Sequence, residues 1–509
     1  MQKEVSVKTW VTLCILLLPT LVVAMDTTIL LFALPEISIA LHPSATMQLW
    51  IVDMYSLIMS AFLVAAGNFA DRIGRKKLLL LGTVGFTLVS VAAAFSTSAS
   101  LLLICRGLLG FFSAGIAPTT LSNIRVMFEK SDKLPMAIAI WISTFSVGAA
   151  IGPIIGGVLL EYFYWGSVFL VTLPFTIPAL VLIPSLLKET KDTNPGPLDF
   201  TAILLSIVAI TSFVYVIKYS VTEGISFTSV MLILVSIVSG YAFVKHLSSK
   251  ENPMFDIMLF KNSNFAGGIV VNVIGAFSLM GFTFVVTQFL QLAAGFSPMT
   301  AGLLMLPSSF AFFIAGMIVV PLAKRFSKKI IVISSLFINL FAYVFLAVIG
   351  ANNTTITINI IWCFLGIGIG FVETIAYDLI IETVPINKSG AASGISESVY
   401  ELGMVMGAAV IGSVMNWGYK LHLLIPDGLS DKDLQVAKET YSGAIDVVNS
   451  LVYKNPDLAR NLAQNAKSAF MYAIPIVGII NVILMVISVI LAWKILFRKS
   501  KESYDNSLA

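Results

Sequence analysis

Long apolar runs separated by short polar breaks dominate the pattern of this chain. A helix that crosses a bilayer takes about 20 apolar residues. Fourteen such runs occur, near residues 10–33, 47–70, 78–96, 100–122, 136–160, 165–187, 200–219, 226–246, 265–292, 299–322, 329–350, 355–382, 391–417 and 469–496. They predict membrane-spanning helices, numbered here as spans in chain order. The first run follows Lys3 and Lys8, as the core of a signal peptide would, but it is too long for one and apolar chain continues far beyond it. It reads as an uncleaved first helix. The pattern is that of an all-α polytopic membrane protein.

Composition sharpens this. Of 509 residues, 58% are hydrophobic and 11% charged, where a soluble domain carries roughly 25% charged residues. That balance excludes an ordinary soluble enzyme, and it excludes disorder, which needs the opposite bias. A net charge of +4 is too slight to point to nucleic acid. Cys14, Cys105 and Cys363 lie in apolar runs and form no C-x-x-C pair, so neither a disulfide framework nor a zinc site is expected. No metal and no cofactor is expected.

Lysine and arginine set the orientation. With the N-terminus inside, the even-numbered connections and both tails hold 23 of the 31 basic residues, among them Arg72, Arg75, Lys76, Lys77, Arg125, Lys130, Lys133, Lys324, Arg325, Lys328, Lys329 and Lys388. The short outer loops hold only Lys218, six more lie in the long connection 418–467, and Arg106 is inside a span. Long translocated segments largely escape the positive-inside bias. Both termini are therefore expected in the cytoplasm, with the chain crossing the cell (plasma) membrane. Five of the seven tryptophans (Trp10, Trp50, Trp165, Trp417 and Trp493) fall near span ends, where interfacial anchoring explains them.

The chain also repeats. Ala70-Asp71-Arg72-Ile73-Gly74-Arg75-Lys76 after span 2 matches Ala323-Lys324-Arg325-Phe326-Ser327-Lys328-Lys329 after span 10, in the order Ala, x, Arg, bulky, small, basic, basic. The match pairs spans 1–6 with spans 9–14 and leaves spans 7 and 8 as an insertion. It predicts an N-terminal six-helix bundle over 1–190, an inserted pair over 191–262, and a second bundle over 263–509 that includes the outer loop 418–467. Related halves of this kind imply a transporter with its site between them near the bilayer midplane.

Several segments carry a resemblance. They are Met25-Asp26-Thr27-Thr28-Ile29 leading to Ala33-Leu34-Pro35, Gln48 to Leu57, Gly67 to Lys77, Arg106-x-x-x-Gly110, Ser146 to Gly157, Trp165 to Pro174, and Glu397-Ser398-Val399-Tyr400-Glu401-Leu402-Gly403. Together they resemble the fourteen-span drug:proton antiporter family of the major facilitator superfamily, and within it the QacA-like multidrug and antiseptic efflux pumps. The likeness covers nearly the whole chain, and the span-5 signature is its most specific piece. It implies the major facilitator fold, with helices arranged as 6+2+6, and a role in antibiotic resistance. One departure stands out. No acidic residue occurs from Ile257 to Val372, so spans 9–11 lack the carboxylate that some QacA-like pumps carry in span 10. Weaker handling of divalent cations is expected.

Acidic residues inside spans carry the chemistry. One near a helix centre costs about 2.5–3.5 kcal/mol on insertion scales, and burial favours the neutral form of a carboxylate, which makes it a candidate proton carrier. The embedded acids are Asp26, Asp53, Glu373, Asp378, Glu397 and Glu401. Asp26, Asp53, Asp378, Glu397 and Glu401, with Arg106, form the expected coupling and substrate site. Glu373 reads equally well as a group at a helix cap or in a wet vestibule. Glu397 and Glu401, four apart, share a helix face, where like charges repel. His42, His246 and His422 lie in loops or at span ends, so the proton rides on carboxylates. Arg106 reads either as a snorkelling side chain or as a partner for Asp26; the resemblance implies that it modulates proton release. Gly148, Gly152 and Gly156 form a smooth stripe for close helix approach, and Pro153 bends the helix. Packing explains the stripe, and the resemblance adds that the bend seals or hinges the halves. Gly67, Asp71, Arg72, Gly74 and Arg75 make a tight inner turn. There, a single acid among bases suggests that Asp71 accepts from a neighbouring helix N-terminus and latches the outward-open state.

The expected function is proton-coupled antiport by a monomer in the lipid bilayer, exporting lipophilic, cationic drugs and antiseptics. No G-x-x-x-x-G-K-[ST] motif occurs, so ATP is not expected to drive it directly. Within transport the rival is export of a non-cationic antibiotic or metabolite by the same fold. A membrane-embedded enzyme would need a catalytic polar cluster at a membrane face, and loop 418–467 contains no nucleophile or paired-His constellation.

Overall fold

In hydrocarbon every backbone polar group must be satisfied within the protein, which favours uninterrupted helices. The computed structural model describes residues 6–43, 45–129, 131–191, 199–222, 226–250, 253, 257–349, 354–386 and 389–496, apart from some side chains within helices, those of Asp53 and Pro153 included. Lys3, Lys130, Lys388 and the Lys218 side chain, used above for orientation, also lie outside the described residues. The helices are α1 (Val7–Leu41), α2 (Ala45–Ile73), α3 (Arg75–Ala94), α4 (Ala99–Met127), α5 (Leu134–Tyr162), α6 (Ser167–Leu170), α7 (Leu173–Leu186), α8 (Phe200–Thr222), α9 (Phe227–Ser248), α10 (Ser263–Gln288), α11 (Pro298–Arg325), α12 (Lys328–Ile349), α13 (Thr355–Glu382), α14 (Ser389–His422), α15 (Asp431–Glu439), α16 (Tyr441–Leu451) and α17 (Pro456–Leu496). Fourteen stretches among them are long and apolar enough to cross a membrane, close to the expected ranges.

Two elements depart from the expected pattern. The sixth span is broken into α6 and α7, because Pro174, in the first turn of α7, has no N–H with which to continue the helical hydrogen bonding from α6. The last helix starts well before residue 469, so much of the predicted outer loop is helical. Ser430 caps α15 by accepting from the Asp433 N–H at 3.2 Å. Tyr441 of α16 stacks on Phe470 and donates to the Leu292 carbonyl beyond α10, which docks this region on the bundle.

Helix contacts follow the repeat. In the first half α1 packs on α5, and α2 and α3 on α4; in the second, α10 packs on α14, and α11 and α12 on α13. The halves meet where α2 faces α14 and where α5 faces α11, contacts that the repeat exchanges. α8 and α9 pair with each other, and α8 leans on α2 and α14. Asp199, just before α8, clips this pair together by binding Lys250 at 2.8 Å and His246 at 3.0 Å. Burial alone would push Asp199 up, but Lys250, the Ala202 N–H and His246 outweigh it and hold the carboxyl at about 2.

Small residues set these contacts. A Cβ at Gly148 would meet Ala24 and Leu21 of α1, and one at Gly152 or Gly156 would meet Thr28 or Ile29. Gly403 and Gly407 of α14 play the same part against Val273, Ala276 and Phe277 of α10. The Gly366-x-Gly368-x-Gly370 run likewise lets α13 approach Ser308 and Phe312 of α11 and Asn339 of α12, which is helix packing. The face at which α1 begins and α17 ends is called basal below.

Candidate coupling and substrate site

Two polar clusters lie inside the bundle. In the first half, Asp26 of α1 and Arg106 of α4 form an ion pair with both side chains almost wholly buried. The Arg106 Nε donates to the Ile51 carbonyl at 3.1 Å, and the guanidinium lies 4.7 Å from the Tyr55 ring centre. Tyr55 in turn bonds Ser113 at 2.8 Å. Arg106 is therefore a fully engaged partner of Asp26, and snorkelling does not describe it.

In the second half, α13 and α14 bring together Glu373, Tyr377, Glu397, Tyr400 and Glu401, all buried or nearly so. The Tyr377 hydroxyl donates to Glu397 Oε1 at 2.7 Å. Glu373 and Glu397 lie about 12–14 Å along their helices from the basal ends, at 1.5 Å per residue. Glu401 is within electrostatic reach of Tyr55, so the two clusters face each other across the junction of the halves. Trp141 of α5 packs edge-on to Tyr377, with ring centres 5.4 Å apart, and bonds Thr120 at 3.0 Å.

Asp378 does not join this cluster. It pairs with Lys328 of α12 at 2.7 Å, beside Glu382, toward the basal end of α13. Asp53 lies on α2, and its side chain is outside the described residues. His42 closes α1, His246 binds Asp199, and His422 stacks on Tyr472, so each histidine sits at a helix end.

The basal seam between α2 and α14 is tightly joined. A Cβ at Gly67 would collide with the Gly390 carbonyl and press on Gly394, so only glycine allows this approach. Asp71 accepts from the Gly390 N–H at 3.0 Å and the Ala391 N–H at 2.9 Å, at the start of α14. A carboxylate there complements the helix dipole. Arg75 binds Asp71 at 2.8 Å and donates to the Ile386 carbonyl at 2.8 Å, while Arg125 donates to the Val384 carbonyl. The turn between α13 and α14 is thus held at both ends by first-half side chains. Arg72 braces the motif by donating to Asn68 at 3.0 Å. Gly74 has φ 115°, a conformation that only glycine adopts freely, and Glu189 closes over it by accepting from the Lys76 and Lys77 N–H groups. At the repeat-related seam the charge is reversed: Lys324 stands where Asp71 would, and it binds Asp132 just before α5 at 3.1 Å. This pair is exposed to water, so it holds its seam weakly.

Residues 16–408 match the sequence pattern of the Major Facilitator Superfamily. The chain belongs to that superfamily. It is 41% identical to the multidrug efflux pump LfrA of Mycolicibacterium smegmatis over 463 residues, 91% of each chain. It is 32% identical to the methyl viologen resistance protein SmvA of Salmonella typhimurium over 465 residues, 91% of this chain and 93% of that one. The fold is similar to that of the human organic anion transporter MFSD10, with a TM-score of 0.58 at 13% identity, covering 92% of this chain and 98% of that one. This facilitator is a multi-pass membrane transporter and not an enzyme.

Sequence reasoning gave no role to one residue of this cluster and left another open. Trp141 was one of two tryptophans away from the span ends, which was the available signal. Glu373 was left undecided, yet it is wholly buried among the other acids.

Proposed function

We propose that this facilitator exports lipophilic monovalent cations, drugs and antiseptics among them, in exchange for protons. The observation that carries the reading is Glu397, which is 2% exposed and bonded to a tyrosine hydroxyl. Among the described residues Glu397 forms no ion pair. A buried carboxyl without a cation is heavily penalised when ionised. It is relieved either by a proton or by a cationic ligand, and alternation between the two at one carboxyl is an exchange mechanism. Drug export is supported by the relatives named above. Arg106 neutralises Asp26, so movement of that arginine would release a second negative charge at the junction of the halves. Asp53, on the neighbouring α2, belongs to the same reading. Asp378, held by Lys328, belongs with the basal ion pairs instead.

The boundaries 1–190, 191–262 and 263–509 divide the protein into moving bundle, inserted pair and moving bundle, with Pro153 and the glycines of α5 at the hinge. The protein acts as a monomer in the plasma membrane with cytoplasmic termini, so the basal face is the inner one.

Uptake of ethidium into inverted vesicles tests this. With ATP present, a protonophore should collapse the uptake, and a bis-quaternary dye of similar hydrophobicity should be carried less well, because α10, α11 and α12 contribute no carboxylate. Uptake that survives the protonophore would overturn proton coupling. Equal transport of both dyes would show that the α13 and α14 acids serve a dication.

A further inference from the structure

Glu373 does not fit a structural role. It is wholly buried, and among the described residues neither carboxyl oxygen has a hydrogen-bond partner. A structural buried acid is normally paired or bonded. The chain makes room for this group, since a Cβ at Gly275 of α10 would collide with Glu373 Oε1. Asn272 lies three residues before Gly275, on the same side of α10. It too is wholly buried, with neither amide atom bonded to any described residue. The seam between α10 and α13 thus holds two buried polar side chains without protein partners among the described residues.

The surroundings are acidic. α14 brings Glu397, Glu401 and Tyr400 to this region, α13 adds Tyr377 one turn from Glu373, and α10 carries no ionisable residue. Lys328, at the start of α12, is occupied by Asp378 and Glu382. An ionised Glu373 would therefore face a second carboxyl, Glu397, with no ion pair among the described residues.

We propose that Glu373 is a second proton-carrying residue of the α10–α14 bundle, exchanging its proton with Glu397 through Tyr377. The proposal rests on the proton-coupled reading above. In the conformation seen, the Tyr377 O–H points at Glu397. Rotation of Glu373 toward Tyr377 completes the relay: Tyr377 gives its proton to Glu397 and regains one from Glu373, so the hydroxyl is conserved and one O–H bond breaks for each that forms. Cation binding beside Glu397 and Glu401 then expels one proton from Glu397 and one from Glu373.

The experiment measures proton release by the purified full-length protein when ethidium is added, in weakly buffered detergent with a pH indicator. Glu373→Gln should release one proton fewer per ethidium bound than the unmodified protein, and Glu373→Asp should restore the release with its pH dependence displaced. Unchanged release from Glu373→Gln overturns the proposal while leaving proton coupling intact. No release from the unmodified protein overturns the proton-coupled reading, and this proposal with it. If Glu373→Gln does not fold, Glu373→Asp decides: a displaced pH dependence supports the proposal, and an unaltered one overturns it.

Discussion

Asp26→Asn should abolish export of every substrate, with little accumulation of resistance above that of cells lacking the protein. Arg106 is 1% exposed and its carboxylate partner is Asp26. Removing one member of a buried pair leaves an uncompensated charge, at a cost of about 3–5 kcal/mol. Asparagine keeps the shape and one acceptor oxygen but not the charge. Arg106 would then turn toward other acids, among them Glu401, which acts electrostatically on neighbouring Tyr55. Resistance to ethidium, with protein abundance in the membrane measured in parallel, checks this. Full resistance at normal abundance would show that Asp26 takes no part in coupling.

Asp71→Asn should behave differently, slowing turnover about tenfold while ethidium still binds. Asp71 lies at the basal seam, where it caps α14 and holds Arg75. A hydrogen bond to a charged group contributes about 1.5–3 kcal/mol, and 1.4 kcal/mol is a factor of ten. The substitution destabilises the joined seam and therefore the conformer seen here, without touching the carboxyl cluster. Equilibrium ethidium binding and initial transport rates separate the two effects. A changed affinity with a normal rate would place Asp71 in the binding site rather than in a latch.

The fold was legible because its signals are local or periodic. Apolar runs give the spans, and the match between residues 70–76 and 323–329 gives the pairing of halves seen in the helix contacts. The role of Asp71 at a helix N-terminus was also legible, since one acid among several bases has few other uses. What the sequence concealed depends on which distant helix lies opposite. Asp378 looked like an embedded acid, but Lys328 meets it from α12. Glu373 could not be separated from a cap residue until Gly275 and the empty hydrogen-bonding positions around it were visible. Trp141 reaches Tyr377 across the junction of the halves, a contact with no signature in either helix alone. The break between α6 and α7 had a signal in Pro174, which the hydrophobic run outweighed.

The central claim is that protons, exchanged at buried carboxyls, drive the export of a lipophilic cation. Its most direct test uses the purified protein in liposomes without nucleotide, under an imposed pH gradient with the lumen acidic. The account predicts that ethidium accumulates in the lumen against its own gradient, that proton efflux accompanies it, and that both stop when the pH difference is dissipated. Ethidium movement that is equal with and without the gradient, or that requires ATP, would contradict it.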